Sequence, residues 1–188
     1  MHEASDQDST SDEARRVVEF WQQAGPSCWF TRSDAFDAQC AQFLPLHLRA
    51  SRRELEEWAG TATGALALVL LLDQIPRNVY RDSAHSYATD GLARHYADEA
   101  INAGFDVQVD PALRVFFYLP FEHSEALDDQ RRSLELHQRL DGPDASHWAQ
   151  LHFDLIERFG RFPHRNAALG RTTTPEEQAY LDAGGFAG

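Results

Sequence analysis

Eight consecutive apolar residues, Ala65–Leu72, run straight into Asp73. The run is far short of the roughly 20 residues that cross a bilayer. The first residues, MHEASDQDSTSDEA, carry no basic-then-apolar leader pattern. A cytoplasmic protein with no membrane partner is therefore expected. The segment 62–74 reads instead as an apolar helix, and a carboxylate in the last turn of a helix opposes its dipole unless a cation or donor meets it. Arg77 is the nearest cation in sequence; Arg161 and Arg165 are the alternatives if the chain brings them alongside.

Other helix signals recur along the chain and strand signals do not. Ser51 with Glu54 and Thr174 with Glu177 both fit a capping box, with Pro175 in the first turn of the second, and Asp110-Pro111 marks another start. Helices are predicted over 12–24, 33–49, 51–59, 62–74, 90–103, 111–118, 124–140, 145–159 and 175–183. No Asn-Gly or Asp-Gly dipeptide sits between alternating apolar runs. The expected fold is a single all-α domain over residues 11–188, preceded by a disordered acidic tail over residues 1–10. At 188 residues such a chain holds a core without disulfides or a structural metal.

Periodicity turns some polar residues inward. Trp148, Leu151, Leu155 and Phe159 form an apolar stripe over 145–159, and His152 shares its face. Gln130 falls between Leu127 and Leu134 on one face of 124–140. Both are expected to point inward, each either bonded to a backbone carbonyl or, for Gln130, facing a cavity.

Charge narrows the partners. Thirty acids against 17 basic residues, all arginine, give a net charge of −13. Such a field repels nucleic acid at long range, so no nucleic-acid partner is expected. The two cysteines, Cys28 and Cys40, form no CxxC pair and read as reduced thiols. No metal or other cofactor is expected either: there is no HExxH, no paired ExxH, no cysteine ligand pair and no Gly-rich phosphate loop.

Three segments share one construction, an apolar helix that stops at or just before a proline with a polar cluster at the junction. They end as LLLDQIPRN (70–78), LPFEHSE (119–125) and RFGRFPHRN (158–166). Proline lacks the donor needed to continue a helix and constrains the residue before it. Glu122, His123 and Ser124 place a carboxylate, an imidazole and a hydroxyl ahead of the helix at 124, with Ser124 as its expected N-cap. His123 and His164 are the candidate proton carriers, with Glu122 beside His123 to orient it. Arg77, Arg161 and Arg165 offer planar donor forks for a carboxylate or phosphate. Asp73, Gln74, Asn78, Ser124, Gln130 and Asn166 complete the candidate ligand-binding set. All are expected to surround one concave polar site, since burying three polar clusters separately needs three sets of partners.

These three motifs, in order, followed by LGR and TTPEEQAYL, resemble the bacterial family called domain of unknown function 924, from about Val17 onward. The resemblance implies a tetratricopeptide-like fold of packed helical hairpins. Two functions remain open: a small-molecule enzyme or binding protein for an anionic metabolite, and a tetratricopeptide-like scaffold for a protein partner whose polar motifs only lock helices together.

Overall fold

The computed structural model describes residues 3–142 and 145–187 of the chain. All regular elements among the described residues are helical, and the helices pack on one another. Contacts group the chain into two compact units, Met1–Arg81 with His85–Pro120, and Asp82–Ala84 with Phe121–Gly188. Among the described residues no helix is long and apolar enough to cross a membrane.

The first unit contains α1 (Glu3–Ala24), α2 (Pro26–Trp29), α3 (Asp34–Cys40), α4 (Leu44–Ser51), α5 (Ala62–Val69), α6 (Ile75–Val79) and α7 (Asp90–Asn102), with a 3-10 stretch over Pro111–Phe117. The tail expected over residues 1–10 falls on residues 1 and 2, outside the described residues, and on the first turns of α1, whose side chains are described only from Asp12 onward. Aromatic rings fill the core: Trp21 lies 5.6 Å from Phe36 and from Phe116, and Trp29 lies 5.1 Å from Phe116, mostly edge-on. Beside it α5, apolar on every side, is buried from Gly64 to Val69. It packs on α1, α7 and the 3-10 turn Glu56–Gly60. Glycine is required at 64, because a Cβ there would come within 2.1 Å of the Trp58 carbonyl oxygen. Cys28 and Cys40 are both free, and burial together with Asp37 pushes the Cys40 thiol up to about 12.

The proline rule fails at Pro76. The helix does not stop; α5 passes through a π-helical turn, Leu70–Gln74, directly into α6, with Pro76 in its first turn. In an α-helix the missing Pro76 donor would have served the Leu72 carbonyl, and in a π turn the Leu71 carbonyl. Both are satisfied from elsewhere in the unit. His47 Nδ1 lies 2.8 Å from the Leu71 oxygen, and the Thr89 hydroxyl donates to Leu72. Pro120 and Pro163 likewise begin helical turns: Pro120 lies inside α8 (Leu119–Glu122), and Pro163 opens a 3-10 turn, Pro163–Arg165.

The expected helix over 51–59 is also corrected. Ser51 is the last residue of α4, its hydroxyl donates back to the Leu48 carbonyl, and Arg53 adopts a φ of 62° that interrupts the chain before the 3-10 turn. The hydroxyl satisfies a C-terminal carbonyl of one helix rather than an N-terminal donor of the next.

The second unit contains α9 (Leu127–His137), α10 (His147–Phe159) and α11 (Pro175–Asp182), and α9 packs against α10. Leu155, Ile156 and Phe162 form its core, with Leu127, Leu151, Phe159, Tyr180 and Phe186 packed against them. Trp148 departs from its predicted stripe: it is 56% exposed, since it sits in the first turn of α10 before that face is covered. The Thr174–Glu177 capping box is formed as read.

Candidate functional site

The candidate residues divide between the two units. Asp73, Gln74, Arg77 and Asn78 belong to the first, where the π turn presents Asp73 with no solvent exposure. Arg77 supplies its counter-charge, with Nη1 3.0 Å from Asp73 Oδ1, and the same guanidinium grips Asp90 with two bonds of 2.9 Å. Gln74 Nε2 donates to Asp73 Oδ2 at 2.6 Å, and Asn78 Nδ2 donates to the Gln74 carbonyl. Asn78 also receives Arg81, which is itself bidentate on Asp37. Every one of these bonds lies within the unit.

In the second unit a carboxylate lies between imidazoles. Glu122, 3% exposed, has Oε2 3.2 Å from His137 Nε2 and Oε1 3.3 Å from His152 Nδ1. The backbone decides the tautomers, because a carbonyl oxygen only accepts. His137 Nδ1 donates to the Ser133 carbonyl at 2.9 Å, and His152 Nδ1 to the Trp148 carbonyl at 2.8 Å. With Nδ1 engaged by the Ser133 carbonyl, His137 turns Nε2 toward Glu122 Oε2.

Around this core stand His123 and His164, both half-buried. The His123 ring is 6.4 Å from that of His152, and Phe162 lies 5.3 Å from His152 and 5.7 Å from His164. Arg165 is buried behind them, stacked over Phe162 at 4.4 Å with Nη1 donating to the His123 carbonyl. His123, His164, Glu122 and Arg165 are thus the predicted residues brought together here, and His137 and His152 complete the cluster.

The other predicted residues hold the chain around that cluster. Gln130, fully buried, donates from Nε2 to the Glu122 and Ser124 carbonyls at 2.6 and 2.7 Å, satisfying the end of α8. Ser124 is not the N-cap of α9, which Ala126 occupies; its hydroxyl donates to Asp129 and accepts the Ala126 N–H. Arg161 forks onto Glu177 at 2.6 and 2.8 Å, and the same buried carboxylate accepts Asn166 Nδ2 and the Thr174 N–H. Sequence reasoning missed Arg171, which grips Glu125 at 2.7 and 3.0 Å and bonds the Phe162 carbonyl. It also missed His137, although Gln130, Ser133 and His137 follow one another at helical spacing on a buried face. Among the described residues no group of three His, Cys, Asp or Glu could hold a metal ion.

A match to the family model for bacterial proteins of unknown function, DUF924, extends over residues 17–185. The chain belongs to the DUF924 family. A solved member, the protein of unknown function ATU0120 from Agrobacterium tumefaciens, is 52% identical, with a TM-score of 0.89 over 93% of this chain and 99% of its own. No curated protein matches the chain. The DUF924 motifs read from the sequence coincide with both polar networks.

Burial sets the acid response of this DUF924 protein. It holds the His152 imidazole down to about 3, against which the Trp148 carbonyl acts, while His123, Arg165 and His164 lower it further. Burial lowers His137 as well. In the unfolded chain a histidine takes up its proton near the ordinary 6.5, so between that pH and the folded value the unfolded state binds more protons. Stability is therefore present above 6.5 and declines as pH falls toward 3. The Arg161 fork, with the Thr174 N–H, holds Glu177 at about 2, against a burial effect that raises it. Its contribution is present above its ordinary 4.5 and is lost from there toward 2. Thermal midpoints are thus expected to fall already between about pH 6.5 and 4.5, before the carboxylates titrate. A His152→Leu variant should show a shallower decline there; an unchanged slope would remove His152 as the cause.

Proposed function

We propose that the chain is a small-molecule enzyme or binding protein for an anionic metabolite, acting in the cytoplasm, with its site at the histidine cluster of the second unit. His123 and His164 move protons or donate to the ligand, Glu122 backs them through the buried His137 and His152 pair, and Arg165 supplies positive charge. The observation that carries this reading is the buried Glu122 carboxylate flanked by two imidazoles with half-buried histidines beside them. Structural needs alone are met more simply by a neutral amide, as Gln130 shows one residue network away. Arg77 and Arg161, engaged by carboxylates, act here as ties that position helices rather than as ligand contacts.

Those same ties favour a second reading, a scaffold for a protein partner with its helices stacked as tetratricopeptide-like hairpins. The contact between the consecutive helices α9 and α10 is consistent with such stacking. The two readings separate by histidine NMR during titration with succinate, citrate and inorganic phosphate. The small-molecule reading expects at least one anion to shift the His123 and His164 signals saturably, and the His123→Ala/His164→Ala variant to melt near wild type without binding it. If none shifts them and the double variant melts far lower, the cluster is a structural tie and the scaffold reading stands.

A further inference from the structure

The chain places one of its own aromatic rings against this cluster. Beyond α11 it turns at Gly184, where φ is +78°, and returns so that Phe186 stands half-buried beside α10. Its ring centroid lies 4.8 Å from His152, 5.2 Å from His164 and 6.1 Å from Trp148, at interplanar angles of 66°, 84° and 52°. Three rings therefore meet a fourth edge-on or tilted, contacts that favour a flat π-system over an aliphatic chain.

The occupant is held differently from the walls. His152 is locked to the Trp148 carbonyl and backed by Glu122, and the Phe162 ring beside it is fully buried under Arg165. Phe186, by contrast, follows two glycines, and its N–H bonds the Tyr180 hydroxyl at 2.8 Å. The close return depends on glycine at 185, where a Cβ would meet the Tyr180 ring at 2.4 Å. The Phe186 ring thus covers a place bounded by His152, His164 and the half-exposed Trp148, with the Arg165 guanidinium behind Phe162 as the nearby positive charge.

We infer that the space filled by the Phe186 ring is a subsite for the planar ring of an aromatic carboxylate, and that Phe186 is its intramolecular competitor. The inference rests on the small-molecule reading above and specifies the chemistry of the ligand. An aromatic carboxylate stacks its ring where Phe186 stood and turns its charge toward His123, His164 and Arg165. Its apparent affinity is reduced by the fraction of molecules in which Phe186 occupies the slot.

The test is calorimetric titration of the full chain with 2-naphthoate, and with cyclohexanecarboxylate as a non-aromatic control. Wild type is compared with Phe186→Ala, Phe186→Leu and Phe186→Leu/His164→Ala. Phe186→Leu retains apolar packing against the core without a ring, so it serves if the alanine variant melts prematurely. Removing the competitor is expected to tighten 2-naphthoate binding by roughly tenfold or more, with little gain for cyclohexanecarboxylate and loss of binding when His164 is also removed. Equal affinity in wild type and the Phe186 variants overturns the inference. So does absence of naphthoate binding in every variant; if succinate, citrate or phosphate still shifts His123 and His164, the anion site survives without an aromatic subsite. If no anion of either kind binds, the small-molecule reading falls with it.

Discussion

Replacing Arg77 by alanine is expected to destabilise the protein by about 4 kcal/mol, and replacing Asp73 by alanine by about 3 kcal/mol, values typical of breaking a buried ion pair from one side. The order follows from what each substitution strands. Without Arg77, the Asp73 carboxylate has no solvent contact and keeps the Gln74 amide as a donor. Without Asp73, the guanidinium keeps its two bonds to Asp90 and is itself 18% exposed, so part of its charge is still met. Both variants also disturb the π turn that carries the chain through Pro76, since Arg77 Nη1 donates to the Asp73 carbonyl at 2.7 Å. Urea unfolding at pH 7 measures all three proteins. Losses below about 1 kcal/mol in both variants would show that the pair is dispensable and that the turn is held by His47 and Thr89 alone.

Glu122→Ala is expected to cost about 2–4 kcal/mol, because it takes the carboxylate away from buried His137 Nε2 and opens a space beside His152. Glu122→Gln should cost less than about 1 kcal/mol. A glutamine amide N–H can donate to His137 Nε2 while its oxygen faces His152 Nδ1, so both buried contacts persist. What the amide lacks is a transferable proton. Anion binding or turnover at His123 and His164 should therefore change its pH dependence in the glutamine variant although the fold is intact. Equal destabilisation by glutamine and alanine would make the carboxylate a structural tie. An unaltered pH profile in a well-folded glutamine variant would remove Glu122 from proton movement.

The two networks also differ in how readily they were read. For Asp73 the sequence demands a cation and leaves Arg77, Arg161 and Arg165 open; Arg77 provides it, although the helix runs on through Pro76, so burial rather than a helix end makes the charge costly. His152 and Gln130 were foreseen to point inward because each shares a face with apolar residues, and both bond backbone carbonyls. His137 went unnoticed because it reaches the cluster through its own buried face of α9, where the apolar residues are few.

What the sequence by itself determined is what depends on neighbours within a turn or two. Helices predicted at 90–103, 145–159 and 175–183, each within two residues of the observed bounds, the capping box at Thr174 and Glu177, and the all-α class follow from caps, periodicity and proline chemistry, whose range is about four residues. Only the tertiary structure decided which of several local options each polar group takes. Pro76 should end a helix by local rules, but His47 and Thr89, 29 residues before it and 13 after, satisfy the carbonyls it releases. Arg161 could have met a ligand, yet the Thr172 carbonyl and Glu177, which also accepts Asn166 and the Thr174 N–H, engage it. The physical reason is that a hydrogen-bonding group is satisfied by whichever partner folding brings within about 3 Å, and long-range partners of similar chemistry look alike along the chain.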